Sequence, residues 1–135
     1  MYKRVFGKKL SRNTTTRKAL FRSLIGSLVK NGKIKTTKIK AKAIQGDVDK
    51  LMTLVAKNDI SARRLLMSKL ANDVLTVEKL LSKKEIIKDR KSGFTKITNL
   101  PNRKGDNAPM AIIEFVDVEN KEIKKWKHTS QQKKK

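Results

Sequence analysis

The sequence predicts an α+β protein in two layers: about four helices on a small mixed three-stranded sheet, with a basic N-terminal arm and a basic C-terminal tail. Three observations lead there. Apolar residues recur at helical spacing from Leu20 to about residue 88. After Lys91-Ser92-Gly93 the period changes to alternation, in two β-rich segments separated by a loop that holds both prolines. Charge is segregated: the first 46 residues hold fourteen Lys and Arg and no acid before Asp47, within a chain of net charge +23.

Taken in order, residues 1–13 read as an extended basic arm. Thr14, Thr15 and Thr16 offer capping hydroxyls ahead of a helix from Arg17 to Lys30. Leu20, Phe21, Leu24, Ile25, Leu28 and Val29 form its apolar face, and Asn31-Gly32 supplies the stop. Lys33–Thr37 (KIKTT) is a short strand at a sheet edge, and Thr36 or Thr37 caps the next helix, Lys38 to about Lys57. Its inward line is Ile44, Val48, Leu51, Met52 and Val55, with Leu54 on the flank. Asn58-Asp59 breaks the chain, Ser61 caps a helix over Ala62–Leu70, and Asn72-Asp73 breaks it again. A fourth helix follows from about Leu75 to Lys88, with Val77, Leu80, Leu81 and Ile87 inward.

Phe94–Leu100 then alternates as a strand. Met110–Val118 (MAIIEFVDV) is the most apolar segment and is expected as the central strand, antiparallel to its predecessor, with Ile112 buried. Phe94 and Phe115 are core. The expected organisation is an arm over 1–13, one folded domain over 14–118 and a flexible basic tail over 119–135.

Composition narrows the chemistry. The chain lacks Cys, which excludes disulfides and thiolate metal sites, and its one His, His128, lies in the Lys-rich tail. No metal, cofactor or small-molecule substrate is expected. No apolar run reaches the ~18 residues a membrane helix needs. The segment MYKRVFGKKLSRN has no apolar core after its charges, unlike a signal peptide. Its glycine, paired lysines and lack of amphipathic repeat argue against a transit peptide. The acids Asp47, Asp49, Asp59, Glu78, Glu85 and Asp89 are interleaved with Lys and read as surface ion-pair partners, not as a metal or nuclease site.

What remains is a polyanion-binding surface. Lys3, Arg4, Lys8, Lys9 and Arg12 of the arm, with Arg17, Lys18 and Arg22 of the first helix, can reach backbone phosphates. Ser11, Asn13, Thr14 and Thr15 add amide and hydroxyl donors beside a helix N-terminus. In the loop PNRKGDNAP, Arg103 and Lys104 form a basic tip and Asp106 orders the turn. Aromatic residues are too sparse for a base-stacking sheet.

Two segments carry a resemblance. Lys9-Leu10, Arg12, Thr14-Thr15, Arg17-Lys18-Ala19-Leu20 and Ile34-Lys35-Thr36-Thr37 resemble the N-terminal half of the bacterial large-subunit ribosomal protein L17 family. Arg103-Lys104-Gly105-Asp106, Ala108-Pro109-Met110-Ala111 and Ile112-Ile113-Glu114 resemble its C-terminal signature, and Ser61-Ala62-Arg63-Arg64 resembles a further element. Thr16 stands where that family often has His, and Gln45-Gly46-Asp47 where it has an Arg-Pro-type stretch. The resemblance implies an α/β fold with a mixed sheet, binding to large-subunit rRNA, and no catalysis. It also implies neighbouring ribosomal proteins near the exit tunnel and a cytoplasmic place in the ribosome. Lys35, Lys38, Arg63 and Arg64 join the candidate RNA contacts on this basis. The rivals are a nucleoid-type DNA-binding protein, which needs a groove-reading element, and a basic nuclease, which needs a carboxylate cluster free of Lys.

Overall fold

The computed structural model describes residues 8–84, 90 and 92–116. Four helices and three strands alternate in the order α1 (Thr14–Asn31), β1 (Lys33–Thr37), α2 (Lys38–Lys57), α3 (Ile60–Lys69), α4 (Val74–Ser82), β2 (Thr95–Leu100) and β3 (Met110–Phe115). The expectations for Lys3, Arg4, Ile87 and the 119–135 tail lie outside the described residues.

The caps differ from those expected, and the reasons are local. Asn13, not a threonine, caps α1: its side-chain oxygen accepts from the Thr16 amide at 2.8 Å. Asn is at least as good as Thr in this role, and it brings the helix start forward to Thr14. Gly32 ends α1 with φ 76°, and its amide donates to the Leu28 carbonyl. That left-handed turn sends the chain straight into β1. Thr37 sits at the N-cap of α2 without using its hydroxyl. The Lys38 amide instead donates to the Pro109 carbonyl at 2.9 Å, which fastens the 101–109 loop to the start of α2. Asp59, rather than Ser61, caps α3 through the Ile60 amide, so α3 begins two residues early.

β3 lies between β1 and β2 and is antiparallel to both. The α+β class holds, but the sheet is not mixed. β1 and β2 run in the same direction, yet β3 separates them, so no parallel pair forms.

One face of the sheet carries Ile34, Ile113 and Ile97 in register across the three strands, with Ala111 and Phe115 beside them. The helices cover this face, and α2 touches all three strands. Ala41, Ile44, Val48, Leu51, Met52 and Val55 of α2 are buried there, with Leu28 of α1, Leu66 of α3 and Val77 and Leu80 of α4. The Lys83 ammonium lies 5.0 Å from the Phe115 ring centre, closing one end of the core. Its pKa is lowered by burial, with a smaller contribution from Lys79.

Ile112 is corrected. It projects with Met110 and Glu114 from the uncovered face, half-buried, while Ile113 is the core residue. The run is apolar in both phases, so alternation alone cannot choose the face. Glu114 must face water, and that sets the phase for Ile112.

Asp49, Asp59 and Asp73 act as pins, while Glu78 forms a surface ion pair with Arg63 of α3 at 3.9 Å, and Glu85 and Asp89 lie outside the described residues. Asp49 on α2 accepts from the Phe94 amide at 3.2 Å and so fixes where β2 begins. Asp73 caps α4 through the Thr76 amide and accepts the buried Thr76 hydroxyl at 2.6 Å. Lys30, in the last turn of α1, pairs with the same carboxylate at 3.2 Å. One carboxylate thus joins the end of α1 to the start of α4.

Two tests follow from this packing. Ile113→Ala should cost about 2–5 kcal/mol in urea unfolding, because it opens a cavity between β3 and α2. Ile112→Ala should cost well under half as much, and the reverse order would mean the strand phase is wrong. The Thr76 hydroxyl and amide, then Lys30, hold the Asp73 pKa at about 2, below the ordinary 3.8. A carboxylate depressed in this way stabilises the fold fully above its unfolded pKa and loses that contribution as pH falls toward the folded value. Asp73→Asn keeps the cap but removes the charge. Its melting temperature should therefore change less than wild type between about pH 4 and pH 2.

Candidate nucleic-acid interface

The candidate residues that are described fall on three sets of elements. The first surrounds the start of α1. Lys8, Lys9, Arg12, Asn13, Thr14 and Thr15 are exposed, and Arg17 is half-buried. The Arg12 guanidinium donates to the Leu10 carbonyl at 2.8 Å, and Arg17 donates to the Arg12 carbonyl at 3.2 Å. These bonds fold the end of the arm back over the helix start, where Leu10 and Ser11 adopt positive φ. Each guanidinium has five N–H donors, so most of its capacity remains. The first turn of α1 carries no acid, which leaves the positive end of its dipole uncompensated by the chain. Asn13 satisfies the Thr16 amide, and the Thr14 and Thr15 amides lie ahead of the first intrahelical bonds.

One turn further along, Lys18 is exposed and Arg22 reaches across to α3. Its Nε donates to the Lys69 carbonyl at 3.0 Å and its Nη2 to the Ser68 carbonyl at 3.4 Å. Arg22 was expected only to face a partner. It also satisfies carbonyls at the C-terminal end of α3, residues 46 and 47 positions away.

The second set lies on α3. Arg63 and Arg64 are exposed on successive positions, and Arg63 approaches Glu78 of α4 loosely at 3.9 Å. The third set is at the sheet. Lys35 stands on the uncovered face opposite Ile112, and Lys38 follows at the start of α2. The 101–109 loop carries Arg103 and Lys104 but does not present both. Arg103 Nε donates to Asp106 Oδ1 at 3.0 Å, and Nη2 pairs with Oδ2 in the same fork. That fork, followed by the Ala108 amide, lowers the Asp106 pKa to about 2 and raises the pKa of Arg103. Arg103 therefore braces the loop, while Lys104 has no carboxylate partner among the described residues.

Three cations escaped the sequence reading. Lys33 and Lys96 flank Glu114 from either side on the uncovered sheet face. The alternation of the two strands puts Lys33 and Lys96 on the same face as Lys35, so a signal for them was present in the sequence. Lys69 ends α3 beside Arg22. No local pattern marks it, since its place depends on how α3 meets α1. Among the described residues, no group of three His, Cys, Asp or Glu could hold a metal ion, and no helix is long and apolar enough to cross a membrane.

A small two-layer α+β core that holds cations on several elements, with Asp49, Asp59, Asp73 and Asp106 turned to caps and braces, defines a basic scaffold protein. Residues 20–116 match the ribosomal protein L17 family, and the chain belongs to that family. It is similar to the large ribosomal subunit protein bL17 of Persephonella marina, 44% identical over 124 residues that cover 90% of this chain and all of that protein. The bL17 proteins of Wolbachia pipientis and Pelagibacter ubique are 46% and 43% identical, covering 81% and 89% of this chain and 78% and 84% of their own. The family is one of ribosomal components rather than enzymes.

Arg22→Ala should lower stability by about 1 kcal/mol, the scale of a charge-assisted hydrogen bond discounted for exposure. It should also speed amide exchange near the C-terminal end of α3. Lys18→Ala should do neither. Equal melting curves for Arg22→Ala and wild type would mean that the bond between α1 and α3 does not hold in solution.

Proposed function

We propose that this chain is a structural constituent of the large ribosomal subunit, and that it clamps large-subunit rRNA by contacting backbone phosphates from separate elements. The observation that carries this reading is the run of 46 residues with fourteen cations and no acid. It is supported by the exposure of these cations at the start of α1, where Arg12, Arg17 and an uncompensated helix N-terminus converge. Names of the relatives support the subunit assignment.

The mechanism is electrostatic. Each phosphate contact releases condensed counterions and relieves repulsion among the chain's own charges. The core sets the spacing between the α1 start, the Arg63-Arg64 pair on α3, the Lys35–Lys38 segment and the Lys104 tip. Such a clamp reads the shape of the RNA backbone more than its sequence. The residue-level assignment is Lys3, Arg4, Lys8, Lys9, Arg12, Asn13, Thr14, Thr15, Arg17, Lys18, Arg22, Lys35, Lys38, Arg63, Arg64 and Lys104, with Arg103 in the supporting role of holding the loop. The other partners are neighbouring large-subunit proteins near the exit tunnel, and the place of action is the ribosome in the cytoplasm.

Affinity for large-subunit rRNA should fall roughly 10³–10⁵-fold between about 50 and 200 mM salt if some six to ten phosphates are contacted, with duplex DNA as the upper guide. Arg12→Ala with Arg17→Ala should reduce the log–log salt slope by roughly 2, change the melting temperature little, since relief of like-charge repulsion offsets the two short-range bonds to the Leu10 and Arg12 carbonyls, and weaken co-migration with the large subunit on sucrose gradients after a high-salt wash. A flat salt response, or co-migration with chromosomal DNA instead, would remove this reading.

A further inference from the structure

A cleft of about 330 Å³ lies between α1, α2 and the C-terminal end of α3. Its floor is apolar: Phe21 and Ile25 of α1, Leu51 of α2, and Leu70. Its rim is cationic, with Lys18, Arg22 and Lys69 around the mouth. Arg22 is not a loose side chain there, because the Ser68 and Lys69 carbonyls hold its guanidinium in place. The remaining polar group of note is Asp47 on α2. It is the first acid in the chain, and among the described residues its carboxylate makes no ion pair or hydrogen bond.

A lone carboxylate inside a phosphate-binding surface opposes binding, unless the partner brings it a donor. An apolar, partly aromatic floor under a cationic rim fits a flat heterocycle whose own phosphate lies outside. The volume is at the lower limit of small-ligand pockets, right for one base and too small for a larger ligand. RNA presents such bases where bulges and loops leave them unstacked, and proteins take them on aromatic faces and guanidinium planes. Guanine alone offers two adjacent donors on its pairing edge, N1–H and N2–H, which match the two oxygens of a carboxylate. Adenine and cytosine place an acceptor beside their single amino group, and uracil flanks its one N–H with two carbonyls.

We infer that this cleft takes one unstacked guanine of the bound RNA, with Asp47 accepting from its N1–H and N2–H and Lys18 and Lys69 beside its phosphates. This inference rests on the RNA-binding reading above and adds a base-reading site to a backbone clamp. The Arg22 guanidinium, fixed by α3, forms one wall.

The test uses the full chain bound to large-subunit rRNA, probed by kethoxal, which modifies guanine at N1 and N2, and separately by hydroxyl radicals, which report backbone protection. Wild type should protect one unpaired guanine from kethoxal inside the hydroxyl-radical footprint. Asp47→Asn should restore reactivity at that guanine by about fivefold or more, the lower end of a bidentate base contact, while the backbone footprint persists. A melt of Asp47→Asn matching wild type excludes unfolding as the cause. If wild type leaves a backbone footprint but no guanine responds to Asp47→Asn, the base site is wrong and the backbone clamp stands. If no backbone footprint forms at all, both are wrong.

Discussion

Burial of one stripe of α2, from Ala41 to Val55, is the contact on which both layers depend, because every other element meets the core across it. The sheet has only three strands and covers one face. Its inner row of Ile34, Ile113 and Ile97 cannot leave water without α2 above it. The helices α1, α3 and α4 are in turn too short or too polar to form a bundle without that stripe. Removal of a side chain such as Met52 or Ile44 therefore touches the sheet and the helices together.

This core is small beside the charge it carries. A chain at +23 repels itself, and the few acids would scarcely reduce that repulsion if scattered over the surface. Their positions are economical instead. Asp59 and Asp73 cap helices, Asp49 receives the first amide before β2, and Asp106 braces a loop. Each joins parts of the chain at a point where a backbone donor or a cation would otherwise be unsatisfied. The cations of the described residues are mostly left to face outward, and the fold holds them apart at fixed separations.

Periodicity carried most of the fold. Helical spacing and the flanking caps located α2 at Lys38–Lys57, and the apolar character of the run from Met110 placed β3 at the centre of the sheet. Where two residues offered the same service, the sequence did not choose between them: Asn13 against the threonines that follow it, Asp59 against Ser61. The phase of Met110–Phe115 was hidden for a related reason, since both faces of that run are apolar and only Glu114 distinguishes them. The basic surface was legible as charge, but the division of labour within it was not. Arg22 and Arg103 read as free cations, yet each is tied to acceptors, one across 46 residues and one across three. The first tie depends on tertiary packing that no local pattern encodes. The second was half visible, since Asp106 was read as ordering the turn.

The same distinction bears on how the proposed backbone clamp would acquire register. Cations spread over several elements attract any polyanion of suitable curvature, and long flexible side chains tolerate displacement along it. Bonds that fix a cation remove part of that tolerance. Arg12 and Arg17 are folded onto the start of α1, Arg22 is held by the end of α3, and Arg103 locks the loop beside Lys104. The ordering entropy of these arginines is thereby largely met during folding rather than on binding. The exposed Lys8, Lys9, Lys35 and Lys104 side chains make no such bond among the described residues, and in the proposed clamp they supply attraction at longer range. In the clamp we propose, affinity comes from the number of cations, and position on the RNA from the few that the fold has already immobilised.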